Sequence, residues 1–165
     1  MSAREKILNG IAINQPELVA LPVMDMNVII SYPDVFEQFK MMMQSIGGKV
    51  ELVSNISVLK ERLIADKASG NFVINAIATL GELDSQVASF TASELEKVER
   101  AYIKGTIGAA ENGAIWIYES QMINRLLPFI CQHLILVIDK KNIVPTMHQA
   151  YDSIEVAKEG FGAFI

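Results

Sequence analysis

Residues 134–138 read Leu-Ile-Leu-Val-Ile with no polar interruption, and this run restricts the possible folds more than any other stretch of the chain. A strand with one wet face alternates apolar and polar residues. A continuous apolar run, rich in β-branched side chains, asks for cover on both faces. Helices packed on both faces of a sheet supply that cover, so the expected class is α/β. The run is far too short to span a bilayer, which leaves a globular core as its destination. With 165 residues the chain has the length of one domain and can bury about 70% of the surface its unfolded form exposes. A single domain over residues 1–165 is expected, with 1–33 as an N-terminal helix and extended lead-in and 34–165 as the α/β core.

Helix and strand signals fill in that core. Ser2 suits the N-cap of a short helix that stops at Gly10, and Pro16, Pro22 and Pro33 punctuate the lead-in. Asp34 can cap a helix in which Val35, Phe36, Phe39, Met42, Met43 and Ile46 recur at helical spacing until Gly47-Gly48. Residues 49–53 alternate as a strand does. Asn55 or Ser57 opens a helix with Val58, Leu59, Leu63 and Ile64 on its apolar face, and 71–75 reads as a strand. Thr91 and Glu94 form a capping-box pair that predicts a helix over 92–101. Strands are predicted over 113–118 and 133–139, and Asn142 with Pro145 behind it predicts a last helix. The apolar end, 161–165, is expected to pair as a short strand beside 134–138 or a neighbour, burying Phe164 or Ile165.

Charge narrows the function classes. Fourteen Lys plus Arg face nineteen Asp plus Glu, a net charge of −5, with 51% hydrophobic and 20% charged residues. A disordered acidic segment is apolar-poor and a nucleic-acid binder needs a basic footprint, so both are excluded. The lone cysteine, Cys131, permits neither an internal disulfide nor a four-thiolate iron–sulfur or zinc site within the chain. His133 and His148 lack the spacing of paired metal ligands, so no cofactor is expected. The first residues carry charges of both signs and no apolar stretch of a secretory signal, and the expected location is cytoplasmic, without membrane contact.

Several segments share an order. Phe36-Glu-Gln-Phe-Lys40 precedes Ile46-Gly-Gly-Lys-Val50; Ile107-Gly-Ala-Ala-Glu-Asn-Gly-Ala-Ile115 follows, then Leu127-Pro128, His133, Ile143-Val144 and Ala150-Tyr151. This succession resembles the lactate-utilisation (LUD) domain family. Glu111 and Gly113 match its Ile-Ala-Glu-Thr-Gly-Thr signature, with Asn112 and Ala114 in place of the two threonines. The resemblance implies a fold like that of the ribose-5-phosphate isomerase, glucosamine-6-phosphate deaminase and coenzyme A transferase group. It also implies an accessory role in cytoplasmic lactate oxidation to pyruvate, beside iron–sulfur partner proteins. The family pattern continues past 162–165 into Ser-Gly-Pro-Ser and Thr-Ala-Asp-Ile-Glu stretches that this sequence lacks. An open sheet edge, and with it a homo-oligomer, is the expected consequence.

Candidate site residues follow from the same segments. Coenzyme A transferases of the similar fold use a glutamate in a Glu-Asn-Gly context as the nucleophile of an acyl-enzyme thioester. That makes Glu111 the candidate catalytic residue of a rival reading, an acyl-CoA or sugar-phosphate enzyme. A carboxylate can do this work only when desolvated beside donors that stabilise the developing oxyanion. The plainer reading of Asn112-Gly113 is a tight turn with positive φ at the glycine, with Glu111 capping nearby N–H groups. Asn112, Gly113, Arg125 and His133 are the candidate contacts for a small anionic ligand. Arg125 is also readable as a surface charge, and His133 as a sheet-end residue. A non-catalytic interaction protein is the third reading. Cys131 and Trp116 read as core fillers, as do one or two of Met41, Met42 and Met43, and 105–108 carries too few glycines for a dinucleotide loop.

Overall fold

The computed structural model describes residues 2–17, 19–20, 22–23 and 30–165. Of the expected lead-in, positions 18, 21 and 24–29 lie outside the described residues. In chain order the elements are α1 (Ala3–Ile13), α2 (Val35–Ser45), α3 (Ile56–Ala68), β1 (Val73–Asn75), α4 (Ala92–Leu95) and β2 (Arg100–Lys104). There follow β3 (Ile107–Ala109), β4 (Ile115–Tyr118), α5 (Glu119–Met122), α6 (Leu127–Ile130) and β5 (His133–Val137). The chain ends with β6 (Ile143–Val144), α7 (Met147–Asp152), α8 (Val156–Glu159) and β7 (Gly162–Phe164). The class is α/β, and the strands divide between two sheets. One is parallel, in the order β1-β2-β5; the other is mixed, in the order β6-β3-β4-β7.

The parallel sheet is packed on both faces. Ile74, Ala101 and Ile103 meet Val87, Leu95, Val98, Met122 and Leu127 on one side. Val73 and Tyr102 meet Leu59 and Leu63 of α3, with Ile77 and Leu80, on the other. Leu134 and Leu136 of β5 lean on the first cluster, Ile135 and Val137 on the second. The 134–138 run is therefore contacted from both sides, as its composition requires. Yet β5 is an edge strand and its side chains are only half-buried. The deepest strand is β2, where Ala101, Tyr102 and Ile103 are wholly buried. Each such large side chain contributes about 1.5–3 kcal/mol.

That burial explains the main departure from expectation. The capping box of α4 forms, with Glu94 Oε2 accepting from Thr91 N at 2.7 Å, but the helix ends at Leu95 instead of reaching 101. Residues 100–104 become β2 because a central strand buries Ala101, Tyr102 and Ile103, a gain larger than the few tenths of a kcal/mol per residue that separate most helix propensities. The strand expected over 49–53 does not form. Val50 packs beside Phe39 and Ile115, Val53 beside Leu59 and Leu63, and Leu52 is 65% exposed. Helix α3 forms behind its Asn55 cap, but Val58 and Ile64 stay exposed and Asp66 joins Leu59 and Leu63 on the buried side.

Ends of elements shift for local reasons. Gly10 does not stop α1, which runs to Ile13 and closes with Asn14 N donating to Gly10 O. Asn142 does not cap the last helix. It lies in a 3₁₀ turn and donates from Nδ2 to Thr106 O, while Thr146 caps α7 and Pro145 precedes the cap. The C-terminal strand forms but pairs with β4 rather than β5, and Ile165 exchanges backbone bonds with Ile115. Phe164 there is half-buried against Trp116, at 4.9 Å between ring centroids. Gly162 is required: a Cβ would come within 2.3 Å of Trp116 Cζ2.

Candidate functional site

Glu111, Asn112 and Gly113 occupy the turn between β3 and β4. Asn112 Oδ1 accepts from Ala114 N at 3.0 Å, closing the turn on itself. Gly113 takes φ +77°, and a Cβ there would meet Met43 Sδ at 3.0 Å, so α2 packs directly on the turn. Glu111 is half-buried. Its Oε1 accepts from Met147 N at 3.0 Å, and its own N–H donates to Pro145 O. The carboxylate thus brackets the first turn of α7, tying the β3–β4 hairpin to the segment after β6.

The other sequence candidates lie elsewhere. Arg125 follows α5, at the opposite end of β4, where its Nε and Nη2 donate to the two carboxylate oxygens of Glu119 at 2.7 and 2.8 Å. Its guanidinium also lies over the Phe161 ring. Arg125 holds the Glu119 carboxyl below its ordinary range through these hydrogen bonds. His133 starts the edge strand β5, largely exposed, with Nε2 3.6 Å from Glu99 Oε1. The fold does not bring Glu111, Arg125 and His133 to one place. Cys131 is half-buried and burial pushes its thiol up to about 11, well away from an activated thiolate. Trp116 is buried between β7 and α7, and Met41 is exposed while Met43 packs inward.

A different set of residues converges at the carboxyl end of the parallel sheet, the end at which open α/β folds place their ligands. The chain leaves β2 at Lys104, turns through Gly105 and Thr106, and enters the second sheet as β3. Gly105 is the joint: its N–H donates to Val137 O, and a Cβ would come within 2.6 Å of Ile115 Cγ2. Beside this joint lies an open cleft of about 330 Å³, lined also by Tyr118, Ser120 and Gln121 from the end of β4 and α5. Asp139 and Asn142, after β5, and Glu159, at the end of α8, complete it.

Part of this lining is held rigidly. Gln121 Oε1 accepts from Thr106 Oγ1 at 2.9 Å and from Tyr118 N at 2.8 Å. Both bonds fall on the oxygen, so the Nε2 amide keeps its donors. Asn142 spends Nδ2 on Thr106 O and keeps Oδ1. Among the described residues Lys104 makes no ion pair, and Asp139 meets only Lys141, at the outer limit of 4.0 Å. The cleft therefore presents one ammonium, two carboxylates and several neutral groups with unused valences.

Sequence reasoning overlooked this cluster. Asp139 was visible as the first charge after an apolar run, which marks a strand's carboxyl end. Lys104 carries the same mark after Ala101-Tyr-Ile103, hidden while 92–101 reads as a helix. Below the sheet, Asp66 accepts from Tyr102 Oη at 2.5 Å and from Arg100. Burial and that bond push the Tyr102 phenol above its ordinary range. This tie joins α3 to β2; its Tyr102 bond is buried, while the Arg100 side chain stays partly exposed. Among the described residues no group of three or more His, Cys, Asp or Glu is placed to hold a metal ion, and no helix is long and apolar enough to cross a membrane.

Comparison with known proteins supplies the family. No curated protein matches the chain. A crystal structure described as a DUF162 family protein from Deinococcus radiodurans has the same fold, with a TM-score of 0.62 and 18% identity. The match covers 83% of this chain and 89% of that one. Residues 59–162, more than half of the sequence and spanning both sheets apart from part of β7, match the LUD domain. The chain belongs to the LUD domain family.

Proposed function

We propose that this protein is an accessory component of lactate oxidation to pyruvate, working beside iron–sulfur partner proteins and holding a small anionic ligand in the cleft between Lys104 and Asp139. Family membership supports the metabolic setting. Lys104 carries the ligand reading: it lines a polar recess and, among the described residues, forms no ion pair, although Asp139 and Glu159 line the same recess. An anion entering there gains a charge-assisted bond and, from Gln121 Nε2, a second donor. Acyl transfer through Glu111 has less support, because one carboxylate oxygen already accepts the Met147 N–H and the hairpin is braced through it.

The test has two arms. A tagged full-length chain, isolated from its native cells, is expected to bring down proteins containing iron and acid-labile sulfide; an iron-free eluate overturns the partner assignment. Titration with small carboxylates is expected to give saturable binding that Lys104→Met weakens at least tenfold. Binding unaffected by Lys104→Met overturns the ligand assignment, as does its absence.

A further inference from the structure

The balance of groups in the cleft specifies more than an anion. Lys104 is its single ammonium, and Asp139 and Glu159 oppose it, with Lys141 touching Asp139 from outside the lining. The lining carries one negative charge in excess before any ligand enters, and a phosphate dianion would add two more where a monoanion adds one, so Lys104 pairs with a singly charged group at the lower electrostatic cost. The remaining groups are of both kinds. Gln121 Nε2 donates, Asn142 Oδ1 and the two carboxylates accept, and Ser120 Oγ does either. Hydroxyl groups match such a lining because each both donates and accepts. The volume, about 330 Å³, lies at the small end of the roughly 300–1,000 Å³ of ligand pockets.

We infer that the cleft recognises a small polyhydroxylated monocarboxylate of the sugar-acid class, its carboxylate on Lys104 and its hydroxyls between Gln121, Asn142, Asp139 and Glu159. This rests on the reading of the cleft as a ligand site and adds the ligand's class. Four probes separate the two claims when titrated by calorimetry into the full chain: gluconate, the uncharged polyol glucitol, lactate and glucose 6-phosphate. Gluconate is expected to bind at least tenfold more tightly than each of the others. Lys104→Met, at an exposed position, is expected to bring gluconate down to the level of glucitol. A smaller advantage over lactate overturns the polyhydroxyl class while leaving the anion site standing. Glucose 6-phosphate binding as tightly as gluconate overturns the single-charge argument. No saturable binding of any probe, or a gluconate preference that survives Lys104→Met, overturns the site itself.

Discussion

The two ends of β4 differ in what their polar groups have left to give. Where the strand begins, Glu111 commits one carboxylate oxygen to Met147 N, Asn112 its Oδ1 to Ala114 N, and Gly113 allows a close approach to Met43. Where it ends, Gln121 and Asn142 use one side of their amides to fix the joint between the sheets and both line the cleft, and Lys104 beside them makes no ion pair among the described residues. The end with the more suggestive motif is braced by the fold. The end with unremarkable residues retains the capacity to bind, because rigid partners hold groups whose valences are not exhausted.

Substitutions along β4 put this contrast at risk. Ile117 lies wholly buried between the two ends, and Ile117→Ala should lower unfolding free energy by about 2–5 kcal/mol in urea titration. A smaller loss would mean that the strand is not the common frame of both ends. Gly113→Ala should cost about 1–2 kcal/mol, from its positive φ and the Met43 contact, without altering ligand affinity at the cleft. Altered affinity at the cleft would mean that the two ends are energetically coupled. Glu111→Ala should cost about 1 kcal/mol through the lost bond to Met147 N, and Glu111→Gln, which keeps an oxygen acceptor, should restore most of it. A reactive carboxylate would behave otherwise, with stability kept and a trappable acyl adduct lost in both variants.

Lys104→Met should leave thermal stability within about 0.5 kcal/mol, as an exposed side chain without an ion pair implies, while removing anion binding. The smallest effect concerns pH. Glu119 has a depressed carboxyl pKa in the folded state through its hydrogen bonds to Arg125. Its stabilisation is present above the unfolded carboxyl's pKa and fades as pH falls through the lower folded value. Arg125→Ala should therefore make melting temperature slightly less sensitive to acid, and an unchanged acid limb would mean that this pair adds nothing to stability.

Much of the architecture was legible because it depends on neighbours in sequence. Asp34, Asn55 and the Thr91–Glu94 pair mark helix starts that form as expected, since an N-cap satisfies N–H groups only two or three residues away. Residues 113–118 and 133–139 contain real strands for a similar reason: their composition suits a covered sheet. The family was legible as well: the LUD domain matches residues 59–162, a span that contains the segments over 107–151 and leaves out those over 36–50. What misled was pattern without partners. The alternation over 49–53 found no adjacent strand, and the helical start at Thr91 carried no information about where a central strand would claim the chain.

The α/β class, the family, most helix starts and the turn at Asn112-Gly113 can all be read from the order of residues. Local hydrogen bonding, side-chain shape and the succession of motifs settle them. Long-range packing was needed to bring Glu111 to Met147, to pair 162–164 with β4, and to gather Lys104, Gln121, Asp139 and Asn142 into one cleft. Residues up to 55 positions apart line it, from Lys104 to Glu159. Their convergence depends on the parallel register of β2 with β5 and on a glycine joint too tight for a side chain, and neither is written in any short window of residues.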